Sequence, residues 1–314
     1  LHTPYYQSWN LAVQRSLPAA ISLELAYAGS KGTHLQSVTD PNQVATPGDG
    51  SDIQGSRPFP QFGGFTAIRN LGNSNYNSLQ VKVEKHASHN LYFLSSFTYS
   101  KAINDLPEIC CNAPFAQNSY DLAAERGVAD FNQKLRWVMS FDYEIPFGGS
   151  HSHLDNRVVD AILGGWHVGG IYTLASGFAF SAYQNDDPSG TGTQGIPRPN
   201  QLRDGNLPRG QRTPDHWFDV TAFEQLAEGS GVFGNAPRNG LIGPGQNVLD
   251  WELRKEFKIA ETQRLEFRTE FFNAFNHPNF AQPDNFIDDG SAAGTISDTA
   301  IPMRQIQFGL KYSF

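Results

Sequence analysis

The groups in this 314-residue chain that could ligate a metal or move a proton are nine histidines, 31 acidic residues and two cysteines. The tightest histidine cluster is His151-Ser152-His153. Two imidazoles two residues apart, with no third ligand nearby, fall short of the three or four ligands zinc takes. Asp186-Asp187, and Asp284 with Asp288-Asp289, offer carboxylates for a surface calcium. They lack the spaced oxygens of a calcium loop, and Asp beside Gly or Pro is ordinary turn chemistry. Cys110 and Cys111 are adjacent. A disulfide between neighbours is strained, so pairing with a part of the protein outside this sequence, pairing with another chain, and two unpaired thiols all stay open. No G-x-S-x-G elbow, P-loop or G-x-G-x-x-G precedes a helix. Gly164-Gly165 and Gly169-Gly170, around Trp166, read as points of strand bending rather than a phosphate cradle. The expectation is therefore no catalytic residue, no cofactor and no metal centre. A rim hydrolase would need a convergent His–carboxylate or Ser–His set, and the sequence does not assemble one.

What the chain does carry is alternation. In its last residues Ile306, Phe308, Leu310, Tyr312 and Phe314 interleave with Gln305, Gln307, Gly309, Lys311 and Ser313. Period-two patterning gives a strand one apolar and one polar face. An aromatic terminus on the apolar face fits a membrane–water boundary better than open water. Eight earlier segments repeat the pattern. Their apolar faces hold Trp9, Leu11 and Val13; Leu23, Leu25 and Tyr27; Leu79, Val81 and Val83; Phe93, Phe97 and Tyr99; Trp137, Phe141 and Tyr143; Trp166, Tyr172 and Leu174; Leu249, Trp251 and Phe257; and Leu265, Phe267 and Phe271. Trp9, Tyr27, Phe97, Tyr99, Trp137, Phe141, Trp166, Trp251 and Phe267 are the aromatics expected to face lipid.

Tight turns are expected near 17–19, 87–89 and 259–261, and a connector with one or two helical turns over 147–163. Long Gly/Pro/Asn/Asp-rich segments follow the other strands at about 31–75, 103–133, 184–246 and 277–303. Loops that long are uncommon in compact domains, whereas short turns on one side and long loops on the other mark bacterial outer-membrane barrels. Such barrels have even strand counts. Nine strands, beginning and ending on an inward one, imply the C-terminal part of a larger barrel with an unclosed sheet. Residues 1–314 are expected to form one such part, lacking earlier strands.

The polar faces suggest a charge ladder of Glu252, Arg254, Glu256, Arg264, Glu266 and Arg268. A three-residue turn at 259–261 would set Glu256 opposite Arg264, Arg254 opposite Glu266, and Glu252 opposite Arg268; a slip by two would oppose like charges. The same arithmetic around residue 18 pairs Val13 with Leu23 and Trp9 with Tyr27.

Composition agrees. Charged residues are 17% and aromatics 12%. Mean hydropathy is −0.43, and no run approaches the roughly 20 apolar residues of a membrane helix. A net charge of −8 disfavours a nucleic-acid partner. The chain opens LHTPYYQSWN, without an initiator Met or signal peptide, as expected of a fragment of an exported protein.

Several stretches, in order, resemble the C-terminal barrel of Oar-like TonB-dependent receptors. They are YAGSKGTHL (27–35), YNSLQVKVEK (76–85), SFTYSKAIND (96–105), ERGVADFNQKLRWVMSFDYEIPFG (125–148), GGWHVGGIYTLASGFAF (164–180), NGLIGPGQNVLDWELRKEFKI (239–259), EFFNAFNHPNF (270–280) and the terminal strand. At Asn132-Gln133-Lys134-Leu135 the chain departs from an acidic residue followed three later by His. The resemblance implies a 22-stranded barrel of a Gram-negative-type outer membrane, an N-terminal plug, and a segment engaging the inner-membrane TonB machinery. It also implies that Leu310, Tyr312 and Phe314 are read by the barrel-assembly machinery. The function implied is energy-coupled uptake of a bulky extracellular ligand. A structural or adhesive surface barrel without import is the alternative. Loop aromatics Phe59, Phe62, Phe65, Trp217 and Phe218 either form a ligand platform or pack the loops together.

Overall fold

The computed structural model describes residues 2–88, 90–105, 115–147, 162–260 and 262–314. Nine long strands run in chain order: β1 Tyr5–Leu17, β2 Ile21–Thr39, β3 Ala67–Ser88, β4 Leu91–Asn104, β5 Leu135–Glu144, β6 Trp166–Ala175, β7 Gln246–Lys258, β8 Arg264–Phe272 and β9 Gln305–Ser313. Each pairs antiparallel with the next, so the sheet is one meander with β1 and β9 as unjoined edges. Gly127–Val128 adds a short strand to the outer end of β4. The all-β, unclosed sheet is the architecture the alternation predicts. Among the described residues no helix is long and apolar enough to cross a membrane; strands do the crossing in a barrel.

The apolar positions fall on one continuous face. Leu11 lies opposite Tyr27, Tyr27 opposite Leu79, Leu79 opposite Tyr99, and Phe97 opposite Trp137. At the far end Trp251 faces Phe271, and Phe267 faces Leu310. That face is open: Leu11 is 69% exposed, Phe308 68% and Leu310 71%. Among the described residues no second sheet covers it, so the strands' Leu, Trp and Phe side chains do not meet in a dry sandwich centre.

Two expected registers are wrong by two residues. In the first hairpin Val13 pairs with Leu25, Leu11 with Tyr27 and Trp9 with Gly29. The turn occupies 18–20, one residue later than expected, with Pro18 first and Ala19 and Ala20 both in the left-handed region (φ 63° and 58°). Pro18 fixes its own φ and needs no N–H partner, which favours it as the first turn residue. The shift lays the Trp9 indole over Gly29, where any Cβ would collide with it, while Trp9 Nε1 still donates to the Tyr27 hydroxyl at 3.4 Å.

In the β7–β8 hairpin Arg254 faces Arg268, Glu256 faces Glu266, and Glu252 faces Glu270. The turn again sits one residue later, closed by the Ile259 N–H to the Gln263 carbonyl. Direct cross-strand attraction therefore does not set this register. It places the Trp251 and Phe271 rings in a parallel stack at 4.7 Å, a contact the expected pairing would not align. The long side chains satisfy their charges along and diagonally across strands, as described below.

The β2–β3 hairpin is also longer than expected, with loop only over 40–66. Its outer portion, Lys31-Gly32-Thr33-His34-Leu35, breaks the alternation with a bulge at His34 (φ 56°), which hides the strand from a period-two reading.

Candidate functional site

Two surfaces and a cap make up the functional part of the molecule. On the apolar face Trp9, Tyr27, Tyr99 and Phe267 stand exposed, and Phe97, Trp137, Phe141, Trp166 and Trp251 are half-buried against neighbours. Trp137 packs edge-on to Tyr172 and donates to Ser95 Oγ at 2.8 Å. Phe141 fills the space over Gly170, where a Cβ would lie 3.0 Å from the ring. The diglycine thus admits an aromatic, not a phosphate. Arg15, Lys85 and Lys255 share this face, each close to the tight-turn end of its strand. Lys255 lies over the Trp166 and Phe257 rings and donates to the Gly164 carbonyl. Long cationic side chains at such an edge can reach water while their stems stay on apolar surface. Leu310, Tyr312 and Phe314 are exposed at the same end.

The opposite face is charged, and the observed register arranges its charges in bands across the strands. One row runs Asp142, Gly169, Glu252, Glu270; the next runs Glu144, His167, Arg254, Arg268. Each arginine reaches between rows. Arg254 contacts Asp142 at 3.4 Å and Glu252 at 3.6 Å. Arg268 contacts Glu266 at 3.3 Å and Glu270 at 3.6 Å, and Arg264 contacts Glu256 at 3.1 Å. The expected six residues do cluster, but as stripes rather than as facing opposite charges.

Above the sheet, the four long connections interlock. Gln43, fully buried, donates to the Gln117 carbonyl at 3.1 Å and to Thr191 Oγ1 at 2.9 Å, and accepts from the Ser119 N–H at 2.8 Å. One side chain thereby joins three loops. Tyr183 and Asn285 exchange a backbone bond of 2.9 Å that adds the fourth. An apolar nucleus of Phe180, Phe218, Phe223 and Leu241 closes the centre, with Phe218 1% exposed and its ring edge-on to both other phenylalanines. Below it, Arg198 binds Glu125 at 2.6 Å and Arg238 binds Asp130 at 3.3 Å, both arginine side chains buried.

The loop aromatics divide between the two roles open to them. Phe218 is core, and Trp217 packs at its margin with its Nε1 on the Ile242 carbonyl at 3.0 Å. Phe59, Phe62 and Phe65 instead project from the β2–β3 loop, exposed. Buried Asn42 fixes that loop, accepting from the Phe59 N–H at 2.8 Å and donating to the carbonyls of Phe62 and Gly63 at 2.9 and 2.8 Å.

The acidic clusters have protein partners. Asn185 donates to Asp288 and Asp289, and Gln225 to Asp186 and Asp288. Among the described residues no three metal-ligating side chains converge. His151, His153, Cys110, Cys111 and the expected helical turns of 147–163, apart from its two ends, lie outside the described residues.

The cap has a pH-sensitive corner. Asp219 accepts from the Thr221 hydroxyl at 2.7 Å and from Arg203 at 2.8 Å. The Thr221 hydroxyl bond, with smaller help from Arg203 and against some desolvation, holds its carboxyl below the usual range. A depressed carboxyl stabilises the folded state fully above its unfolded value, about 3.9, and that contribution fades as pH falls through the folded value. Backbone protection of 219–222 should therefore hold from neutral pH to about pH 5 and decline below about pH 4. Asp219→Asn should remove the decline, as hydrogen exchange across that range would show.

No curated protein matches the sequence. Among solved structures, the outer membrane transporter YddB from Escherichia coli aligns with a TM-score of 0.50 at 11% identity, over 100% of this chain and 33% of its own. BauA, the ferric preacinetobactin receptor from Acinetobacter baumannii, aligns with a TM-score of 0.48 at 12% identity, over 99% of this chain and 29% of its own. This chain thus spans about a third of the length of the solved relatives it matches. The YddB likeness bears on fold alone. The family model described as outer membrane beta barrel domain matches residues 1–307. With that match over nearly the whole chain, the chain belongs to the outer membrane beta barrel domain family.

Proposed function

We propose that this chain is the C-terminal part of a TonB-dependent receptor that imports a bulky ligand across the outer membrane using energy from the inner membrane. The observation that carries the reading is the joining of two features: a one-sided sheet, and a cap in which four loops are tied together by hydrogen bonds. The sheet's apolar face, Trp9 to Phe308, would meet lipid, and the banded wall of Asp142, Arg254 and Arg268 would line a wet interior. The cap would meet ligand at the cell exterior. A nine-stranded sheet with two open edges leaves backbone groups that lipid cannot satisfy, which supports further strands within the working protein. In the same reading Leu310, Tyr312 and Phe314 would present the assembly signal, and the plug side would present the TonB contact. No catalytic step is assigned to it.

The test uses the full-length protein in cells lacking their own receptors of this class. It should restore accumulation of at least one labelled compound from a panel too large for porins. Collapsing the proton-motive force should abolish accumulation while surface binding persists. Surface binding without accumulation in energised cells would overturn import and favour an adhesive role.

A further inference from the structure

The two faces of the sheet divide their charges by sign. Among the described residues, every Asp and Glu of the nine long strands lies on the charged face and none on the apolar one. Cations do occur on the apolar face. Arg15, Lys85 and Lys255 stand near the tight turns, and Lys31 and Lys101 stand at the other end, towards the cap. A barrel strand crosses the hydrocarbon in about 9–11 residues. Counted from Ile21, where β2 starts, that span ends at Lys31; counted from Leu91, where β4 starts, it ends at Lys101. Both lysines therefore sit where their strands leave the hydrocarbon, outward from the exposed rings of Tyr27 and Tyr99.

The two ends differ in what their cations already do. Lys255 is buried, lies over two rings and donates to the Gly164 carbonyl. Lys31 and Lys101 are exposed, and neither has an ion pair or an acceptor among the described residues. Strand β3 runs between them, with Lys31 opposite Asn75 and Lys101 opposite Asn77. Two strand spacings and one same-face step separate the lysines, about 12 Å between Cα atoms. A group seated over β3 is thus within reach of both. Trp9 Nε1 donates to the Tyr27 hydroxyl at 3.4 Å, and Tyr27 donates to Asn77 Oδ1 at 2.6 Å. That relay occupies the amide's acceptor and leaves its NH2 to donate. Asp105, just past β4, is taken by the N–H and side-chain amide of Asn73.

Such a patch offers positive charge and donors without a matching acid. A small anion in water gains little from two exposed lysines. An anionic amphiphile gains more, because its chains cover the exposed Leu25 and Leu79 while its head meets the lysines. We propose that Lys31, Lys101 and the Asn77 amide hold the phosphate headgroup of an anionic lipid in the cap-side leaflet. The site rests on the apolar face meeting lipid and stands whether or not import follows.

The experiment titrates the full-length protein, in an uncharged detergent, with dioleoyl phosphatidate and separately with dioleoyl phosphatidylcholine. Native mass spectrometry counts the bound lipids. The first phosphatidate should bind about tenfold more tightly than the first phosphatidylcholine, and millimolar inorganic phosphate should not displace it. Lys31→Gln with Lys101→Gln should weaken that first phosphatidate about thirtyfold, and Lys31→Arg with Lys101→Arg should keep it. Arg15→Gln, at the tight-turn end, should leave it unchanged. If the double glutamine variant loses the protease resistance of its strands, Lys101→Gln is read alone, with a weakening of about fivefold. Equal affinity for the two lipids, displacement by inorganic phosphate, an unaltered first affinity in a folded glutamine variant, or an equal loss in Arg15→Gln would each overturn the proposal. Failure of the lipid-facing reading shows separately, as equal unfolding costs for Phe308→Arg and Gln307→Arg. With those costs unequal and phosphatidate unselected, the headgroup site alone falls.

Discussion

Replacing Phe308 by arginine is expected to destabilise the barrel by about 2–4 kcal/mol, roughly a thirty- to thousandfold change in the folded-to-unfolded ratio. Phe308 sits near the middle of β9, opposite Thr269, with its ring stacked on Phe267 at 6.2 Å. Its 68% exposure would make arginine harmless if that face met water, since exposed substitutions usually stay within about 0.5 kcal/mol. In hydrocarbon the guanidinium must be hydrated by distorting the bilayer, or leave its water. Gln307 is the internal comparison. It lies at the same depth on the opposite face, opposite Glu270, where Gln307→Arg should change stability little. Urea unfolding of the full-length protein from lipid vesicles gives both values. Equal costs for the two variants would mean that the apolar face does not contact lipid.

Arg238→Met should produce the second large effect, about 3–5 kcal/mol lost from the cap. The guanidinium bonds the Glu125 carbonyl, the Asp130 carboxylate, and both the carbonyl and side-chain oxygens of Asn104. It is a tether between the outer end of β4 and the loops. Methionine fills much of the volume yet leaves three buried acceptors and a carboxylate without their cation. Hydrogen exchange should quicken over 117–130 and 234–243 while the transmembrane strands keep their protection. Uniform quickening of strands and loops together would instead make Arg238 part of a single cooperative unit.

The nine strands were legible because period two leaves a trace in each segment, and lipid contact preserves that trace from end to end. Register was not. Both hairpins slipped by two residues, a change that keeps every side chain on its face and so leaves the alternation unaltered. What distinguished the candidates was local shape: the Trp9 indole over Gly29 and Trp251 stacked on Phe271. Opposed charges looked decisive for β7 and β8, but arginines that reach two residues along a strand satisfy themselves without a facing partner. The cap was the least legible part. Phe59 and Phe218 occur in similar Pro-, Gly- and Asp-rich surroundings, yet one stands in water and the other in the core. The difference comes from the packing of Phe218 against Phe180, Phe223 and Leu241, up to tens of residues away in the same connection, and carries no periodic signature. Arg198, Glu125 and Tyr183 escaped notice for the same reason; the only available hint was that charged residues were scattered through loops otherwise built of turn formers.

Loops of ordinary surface proteins can drift one at a time, because each answers only to its own two anchors. Here Gln43, Phe218 and Tyr183 weld four of them into one piece. A residue altered in one loop is felt by its three companions, so natural variants should change in concerted sets at the joints and independently only at outward tips such as Phe62. A passage through this crown would have to open by moving the whole piece, or by breaking a joint; no single flap could swing aside alone.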